Sequence, residues 1–204
     1  ARPGEPTCEP MDLDLTSDQQ MIREMVRDFA EGELRAEAEA CERAGEFPAA
    51  GLRRAGELGL CGMCIPEEWG GAGLDMVSYS LAIEEIARVC ASTAVTLSVT
   101  NSVCAYPIYR FGTDAQRERY LRPLASGQII GGFCLTEPGA GSDAASLKTR
   151  AERRGDHYVL NGTKQFISGA GATDFYFVFA RSAGEGANGV SAFAVMRGTP
   201  GLSF

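Results

Sequence analysis

Cys134-Leu135-Thr136-Glu137-Pro138-Gly139-Ala140-Gly141-Ser142-Asp143 is the stretch on which the reading of this chain turns. The apolar run from Ile129 to Leu135 leads into it and predicts a strand. The small residues and hydroxyls that follow predict a tight loop, whose backbone N–H groups can closely approach an anion or a planar ring. Downstream lies Tyr158-Val159-Leu160-Asn161-Gly162-Thr163-Lys164-Gln165-Phe166-Ile167-Ser168. Its Asn161-Gly162 pair predicts a type I′ turn, hence a hairpin with strands near 157–161 and 164–168. A strand, a gripping loop and a hairpin returning to the same place suit a flat, phosphate-bearing cofactor. Gly139-Ala140-Gly141-Ser142 is neither a dinucleotide fingerprint nor a P-loop. The third fingerprint glycine, a following Gly-Lys-Ser/Thr and the required helix are all missing. Taken alone, this segment and Gly162-Thr163-Lys164 both read as plain surface turns.

The full pattern resembles the acyl-CoA dehydrogenase family. The family signature asks for a small residue, an aliphatic, Ser or Thr, Glu, two free positions, a small residue, Gly, Ser or Thr, then Asp. Residues 134–143 fill it in order, and Ser146 completes its tail. The likeness extends through Leu58-Gly59-Leu60, Ile65 to Asp75, Glu84 to Arg88 and Phe111-Gly112-Thr113. Cys90-Ala91-Ser92-Thr93 and Gly189 to Phe193 bring it nearest the short-chain, butyryl-type members.

The resemblance implies an N-terminal all-α domain over 11–126 and a middle antiparallel β-barrel or sandwich domain over 127–204, left incomplete. Residues 1–10 are expected to be an unstructured extension. The family's C-terminal four-helix domain lies beyond Phe204, about half of the family's length. With it go the catalytic glutamate, the main tetramer contacts and the neighbouring subunit's grip on FAD. Glu137, inside the signature, is therefore not expected to be the base, and the 204 residues alone are not expected to catalyse the reaction.

In chemical terms, the resemblance implies FAD-dependent oxidation of an acyl-CoA to the trans-2-enoyl-CoA, in fatty-acid or amino-acid catabolism. An electron-transfer flavoprotein is the implied acceptor. Phe133 would lie against the isoalloxazine, and backbone groups of Leu135 and Thr136 would bond its pyrimidine edge. Gly141 and Ser142 would meet the pyrophosphate, with Ser142 also near the CoA. Phe166, where many relatives carry Trp, would pack on the flavin, and Ser168, where relatives carry Thr, would lie close to its N5. Thr96, Val99, Thr100 and Val103 are the implied acyl-pocket residues, with ordinary helix packing as their alternative. An acyl-CoA oxidase or nitroalkane-oxidising relative, or a non-catalytic binding protein, are the competing readings of the same scaffold.

Composition sets bounds on the reading. The 204 residues carry 19 basic and 27 acidic side chains, a formal charge of −8, which opposes a general nucleic-acid role. The seven cysteines are scattered through apolar stretches and read as reduced thiols, not a disulfide framework. Cys61-Gly62-Met63-Cys64 has CxxC spacing, but the single histidine, His157, sits far along the chain in a polar stretch, so packing is the better reading than zinc. No apolar run has the length of a membrane span. Met11 reads as a natural bacterial start, favouring the cytoplasm, with the mitochondrial matrix as the alternative.

Along the chain, Ser17-Asp18-Gln19-Gln20 predicts a capping box with Ser17 as N-cap and Gln20 at the third helical position. Met21, Met25 and Phe29, beside Ile22 and Val26, predict a core-facing stripe. Further helices are expected at 48–58, 76–90, 93–110 and 114–125, the last capped at Thr113-Asp114. The three glycines in Trp69 to Gly73 predict a loop. Strands are expected at 147–152, 175–180 and 191–196. Helices first and strands afterwards predict two segregated units, divided at 125–128.

Overall fold

The computed structural model describes residues 13–204, so the extension expected over residues 1–10 lies outside them. Helix α1 (Ser17–Phe29) runs through a π-helical stretch (Ala30–Leu34) into α2 (Arg35–Ala44), which Gly45 ends at φ +68. The cap sits one residue earlier than the sequence suggests. Thr16 Oγ1 accepts from the Gln19 N–H at 3.2 Å, and Gln19 Oε1 accepts from the Thr16 N–H at 3.1 Å. Either hydroxyl residue is chemically competent to cap. The earlier register also lets Gln19 Nε2 donate to Asp75 Oδ2 at 3.2 Å. It turns Val26 and Phe29 fully inward, with Ile22 and Met25 packed beside them, and leaves Met21 out of the stripe, 61% exposed.

Helix α3 (Ala49–Glu57) starts after Pro48. A 3₁₀ turn (Glu67–Trp69) opens the expected glycine loop, and a Cβ on Gly71 would fall 2.0 Å from the Ile65 carbonyl oxygen. Helix α4 (Met76–Ala87) is capped by Asp75, whose Oδ1 accepts from the N–H of Val77 and Ser78 at 2.7 and 2.8 Å. Next, α5 (Ala91–Ser98), a π-helical stretch (Val99–Ala105) and α6 (Tyr106–Phe111) form one continuous rod. Helix α7 (Asp114–Gln116), capped by Thr113, continues through Arg117–Leu121 into α8 (Arg122–Ala125) in the same way. Pro107 and Pro123 account for the widening. The N–H groups ahead of them, of Tyr106 and Arg122, bond to Asn101 and Arg117, five residues back. That relieves the clash of a proline ring with the carbonyl four residues back.

Among the described residues the sheet has five strands: β1 (Gly131–Cys134), β2 (Arg150–Arg154), β3 (His157–Asn161), β4 (Phe175–Arg181) and β5 (Val190–Met196). Strand β4 is central. β5 lies antiparallel to it, β1 parallel with Gly131 opposite Phe175, and β2 meets its end with Arg150 opposite Arg181. The expected antiparallel architecture is thus corrected to a mixed sheet. The long excursion over residues 135–174 carries the chain back to the same end of the sheet, so β4 enters parallel to β1, which a tight hairpin could not do.

The hairpin is corrected as well. β2 and β3 pair around Gly155-Asp156, with Arg154 opposite His157 and Gly155 at φ +65. Residues 164–168 form no strand. Asn161 closes β3, and Gly162 is a glycine for space: a Cβ there would lie 2.7 Å from Thr149 Cα.

The helical and sheet layers share one apolar seam, where Ile65, Cys104, Ile108, Leu121 and Leu124 enclose Phe175 of β4. Burying that ring alone contributes about 2–3 kcal/mol. A Cβ on Gly131 would fall 2.8 Å from Cys104 Sγ, so glycine lets β1 lie directly on the π-helical stretch. Thr100 Oγ1 accepts from the Gly131 N–H at 3.2 Å and locks that approach. No described helix is long and apolar enough to cross a membrane.

Candidate functional site

Beyond β1, Leu135 and Thr136 run half-buried off the strand end. Their carbonyl oxygens are held from one side: Leu135 O accepts from Lys164 Nζ at 2.9 Å, and Thr136 O accepts from the Gln165 N–H at 2.9 Å. Their own N–H groups bond to no other described residue. Two unpaired backbone donors on a fixed ledge are what a ring rich in acceptor atoms requires.

Pro138 and Gly139 then make a tight turn closed by two reciprocal backbone bonds between Glu137 and Ala140, at 2.9 and 3.1 Å. Gly141 and Ser142 follow, both exposed. A Cβ added at Gly139 or Gly141 would meet nothing within 4 Å, so the loop faces open space with its backbone bare. Arg181 steadies the chain just past this loop. Its guanidinium donates to the carbonyls of Ala145, Leu147, Gly184 and Gly186 at 2.7–3.1 Å.

Phe166 is the only described non-glycine residue with positive φ, at +59, and it is 83% exposed. A left-handed conformation costs an L residue about 1–2 kcal/mol. The ring is thus held in a strained conformation and presented to solvent instead of being packed. The restraint comes from the adjacent Lys164 and Gln165 bonds to residues 135–137. Ser168, also exposed, lies just beyond. Phe133 is half-buried in β1 with its ring edge-on to Phe179, centroids 5.2 Å apart. Segments 133–142 and 164–168, singled out separately in the sequence, are therefore tied together along one edge of the sheet.

Behind the ledge is a buried ion pair. Glu137 and Lys164 have side chains only 7% and 11% exposed and meet at 2.8 Å. The carboxylate also accepts from the N–H groups of Lys148 at 2.6 Å and Thr149 at 2.9 Å. Burial pushes the Glu137 pKa upward, but the Lys164 bond and the backbone N–H donors outweigh it and hold the group at about 2. This carboxylate is fully engaged and weakly basic, unsuited to abstracting a proton. Sequence reasoning missed Lys164, because nothing in its spacing from Glu137 betrays the pairing.

The four acyl-pocket candidates all lie on the α5 rod. Thr96 and Thr100 are buried, and their hydroxyls donate to the carbonyls of Ser92 at 2.8 Å and Thr96 at 2.9 Å. Val99 and Val103 are half-buried. Cys61 is buried and pushed up to about 12, the behaviour of a packed thiol. All six described cysteines are free. Among the described residues, no three His, Cys, Asp or Glu come together as a metal site.

The family model for the acyl-CoA dehydrogenase N-terminal domain matches residues 16–128, and that for the middle domain matches 132–204. An acyl-CoA dehydrogenase of Bacillus subtilis is 47% identical over 192 residues, covering 94% of this chain and 51% of the relative. The butyryl-CoA dehydrogenase of Megasphaera elsdenii superposes with a TM-score of 0.88 at 42% identity, covering 94% of this chain and 51% of that one. An acyl-CoA dehydrogenase of Bacillus anthracis complexed with FAD superposes with a TM-score of 0.86 at 40% identity, covering 93% of this chain and 32% of that one. The chain spans about half the length of the curated relatives it matches.

Proposed function

This chain belongs to the acyl-CoA dehydrogenase family, and from that premise we propose that it carries the flavin-binding half of an enzyme oxidising a short-chain acyl-CoA to the trans-2-enoyl-CoA. The observation that carries the reading is the ledge at Leu135 and Thr136, with unpaired N–H donors beside the strained, exposed Phe166. The donor set fits FAD: backbone N–H groups for the ring edge, Phe133 and Phe166 for its faces, the Ser168 hydroxyl beside it. Gly141 and Ser142 then serve the pyrophosphate, with Ser142 also reaching the CoA. Bound FAD would supply the hydride acceptor for the desaturation.

The chain's own contribution is to orient and to exclude water. Val99 and Val103 supply apolar wall for the acyl chain. Thr96 and Thr100 stand beside them on the same rod, their hydroxyls already engaged with the Ser92 and Thr96 carbonyls. The α-proton goes to a carboxylate other than Glu137, which we assign to the sequence beyond this half. An electron-transfer flavoprotein as acceptor and a homotetrameric assembly complete the proposal, with the helical and sheet units divided at 125–128.

The test is a fluorescence titration with FAD of wild type and Ser142→Ala. Losing one hydrogen bond to a charged phosphate weakens binding about tenfold. Equal affinity would remove Ser142 from the site, and absence of saturable binding would overturn the reading.

A further inference from the structure

Lys164 has a geometry that the flavin reading does not by itself require. Its ammonium bonds the Leu135 carbonyl at 2.9 Å, and that carbonyl belongs to the same peptide group as the Thr136 N–H. The Thr136 N–H is one of the two unpaired donors of the ledge. A cation on a carbonyl oxygen draws electron density through the amide and makes its N–H a stronger donor. Lys164 is only 11% exposed, so solvent screens this field weakly. Glu137 fixes the ammonium at 2.8 Å and is itself anchored by the Lys148 and Thr149 N–H groups. The Gln165 N–H clamps the next carbonyl, Thr136 O, at 2.9 Å. The ledge therefore does not turn without breaking several bonds at once.

We infer that Lys164 is a positioning residue that polarises the Leu135–Thr136 peptide and thereby raises the reduction potential of a flavin bound on the ledge, with Glu137 partly offsetting its charge. Reduction adds electron density to the ring, and a stronger donor at its edge stabilises the reduced form more than the oxidised one. The inference rests on the flavin reading above.

The two halves of the pair then act in opposite directions, which a purely structural role would not produce. Lys164→Met removes the cation and lowers the midpoint potential. Glu137→Gln leaves the cation uncompensated and raises it. Lys164→Arg keeps the charge and stays near wild type. The experiment is a dye-coupled reductive titration of the FAD-loaded protein and these variants, with far-UV circular dichroism to verify folding. A lowered potential in Lys164→Met with a raised one in Glu137→Gln supports the inference. Should Lys164→Met not fold, Glu137→Gln carries the test: a raised potential supports the inference, and an unchanged or lowered one overturns it. Equal potentials in all folded variants overturn it while leaving the flavin reading intact. Failure of wild type to bind FAD overturns both.

Discussion

Two buried carboxylates, one in each half of the molecule, are used in different ways. Glu85 on α4 is 5% exposed and lies between Arg27, at 2.6 and 3.0 Å, and Arg88, at 2.5 Å. Both arginines are about half exposed, 46% and 51%. This triad pins α1 to α4 through side chains alone, and each cation has a substitute. Glu137 receives one buried cation and two backbone donors, and its single lysine reaches onward to a third backbone group. The first arrangement staples two helices, and the second shapes a loop. Loss of the first therefore acts on helix packing, and loss of the second on backbone at an exposed edge.

Removing a cation separates the two most sharply. Lys164→Met leaves the Glu137 charge buried without its counterion and costs about 4 kcal/mol in urea unfolding. A loss as small as that of an exposed pair would break the contrast.

Lowering the pH comes next. Glu137 takes up its proton at about 2 when folded, against an ordinary value of 4.5. Its stabilisation is complete above pH 4.5 and disappears as the pH falls from 4.5 to 2, on the order of 3 kcal/mol in total. Glu85, held below its usual range chiefly by the Arg27 bond against the opposing effect of burial, loses its contribution in the same direction. Urea midpoints measured between pH 6 and pH 2 in wild type and Glu137→Gln isolate the first of these, because the variant lacks that part of the slope.

Phe166→Gly has a smaller effect on stability and the opposite sign. It relieves the left-handed strain, offset by the glycine's greater freedom when unfolded, so stability is kept or raised by up to about 1 kcal/mol. FAD affinity falls in the same variant, and a variant that loses stability without losing affinity would refute the assignment. Arg27→Met lowers the unfolding midpoint less than Lys164→Met does, because Arg88 remains on Glu85 and Arg27 is itself about half exposed.

The helical half was the more legible in sequence, because its signals are local. Thr113 caps where the sequence predicts, and Ser17 fails by one position because Thr16 beside it is also a competent capper and the earlier register gives Gln19 a distant partner, Asp75. The π-helical stretches ahead of Pro107 and Pro123 went unread, since either proline could also have ended its helix. In the sheet half, strand runs such as Phe175 to Ala180 were legible from composition, but their order was not. Asn161-Gly162 promised a turn, yet the close approach of Thr149 is what demands that glycine, and the chain turns at Gly155 instead. The ledge residues stood out through the family signature. Lys164 did not, because its partners at 135 and 137 lie across a fold, beyond the reach of any periodicity.

Flavin binding at the ledge is tested most directly by amide hydrogen exchange of the protein with and without FAD, resolved at Leu135 and Thr136. These N–H groups lack partners among the described residues and should exchange rapidly without flavin. FAD is expected to slow both markedly, together with the segment around Phe166, and to leave the amides of α4 near Glu85 unchanged. Unaltered exchange at Leu135 and Thr136 in the presence of saturating FAD, or protection elsewhere instead, would contradict binding at the ledge.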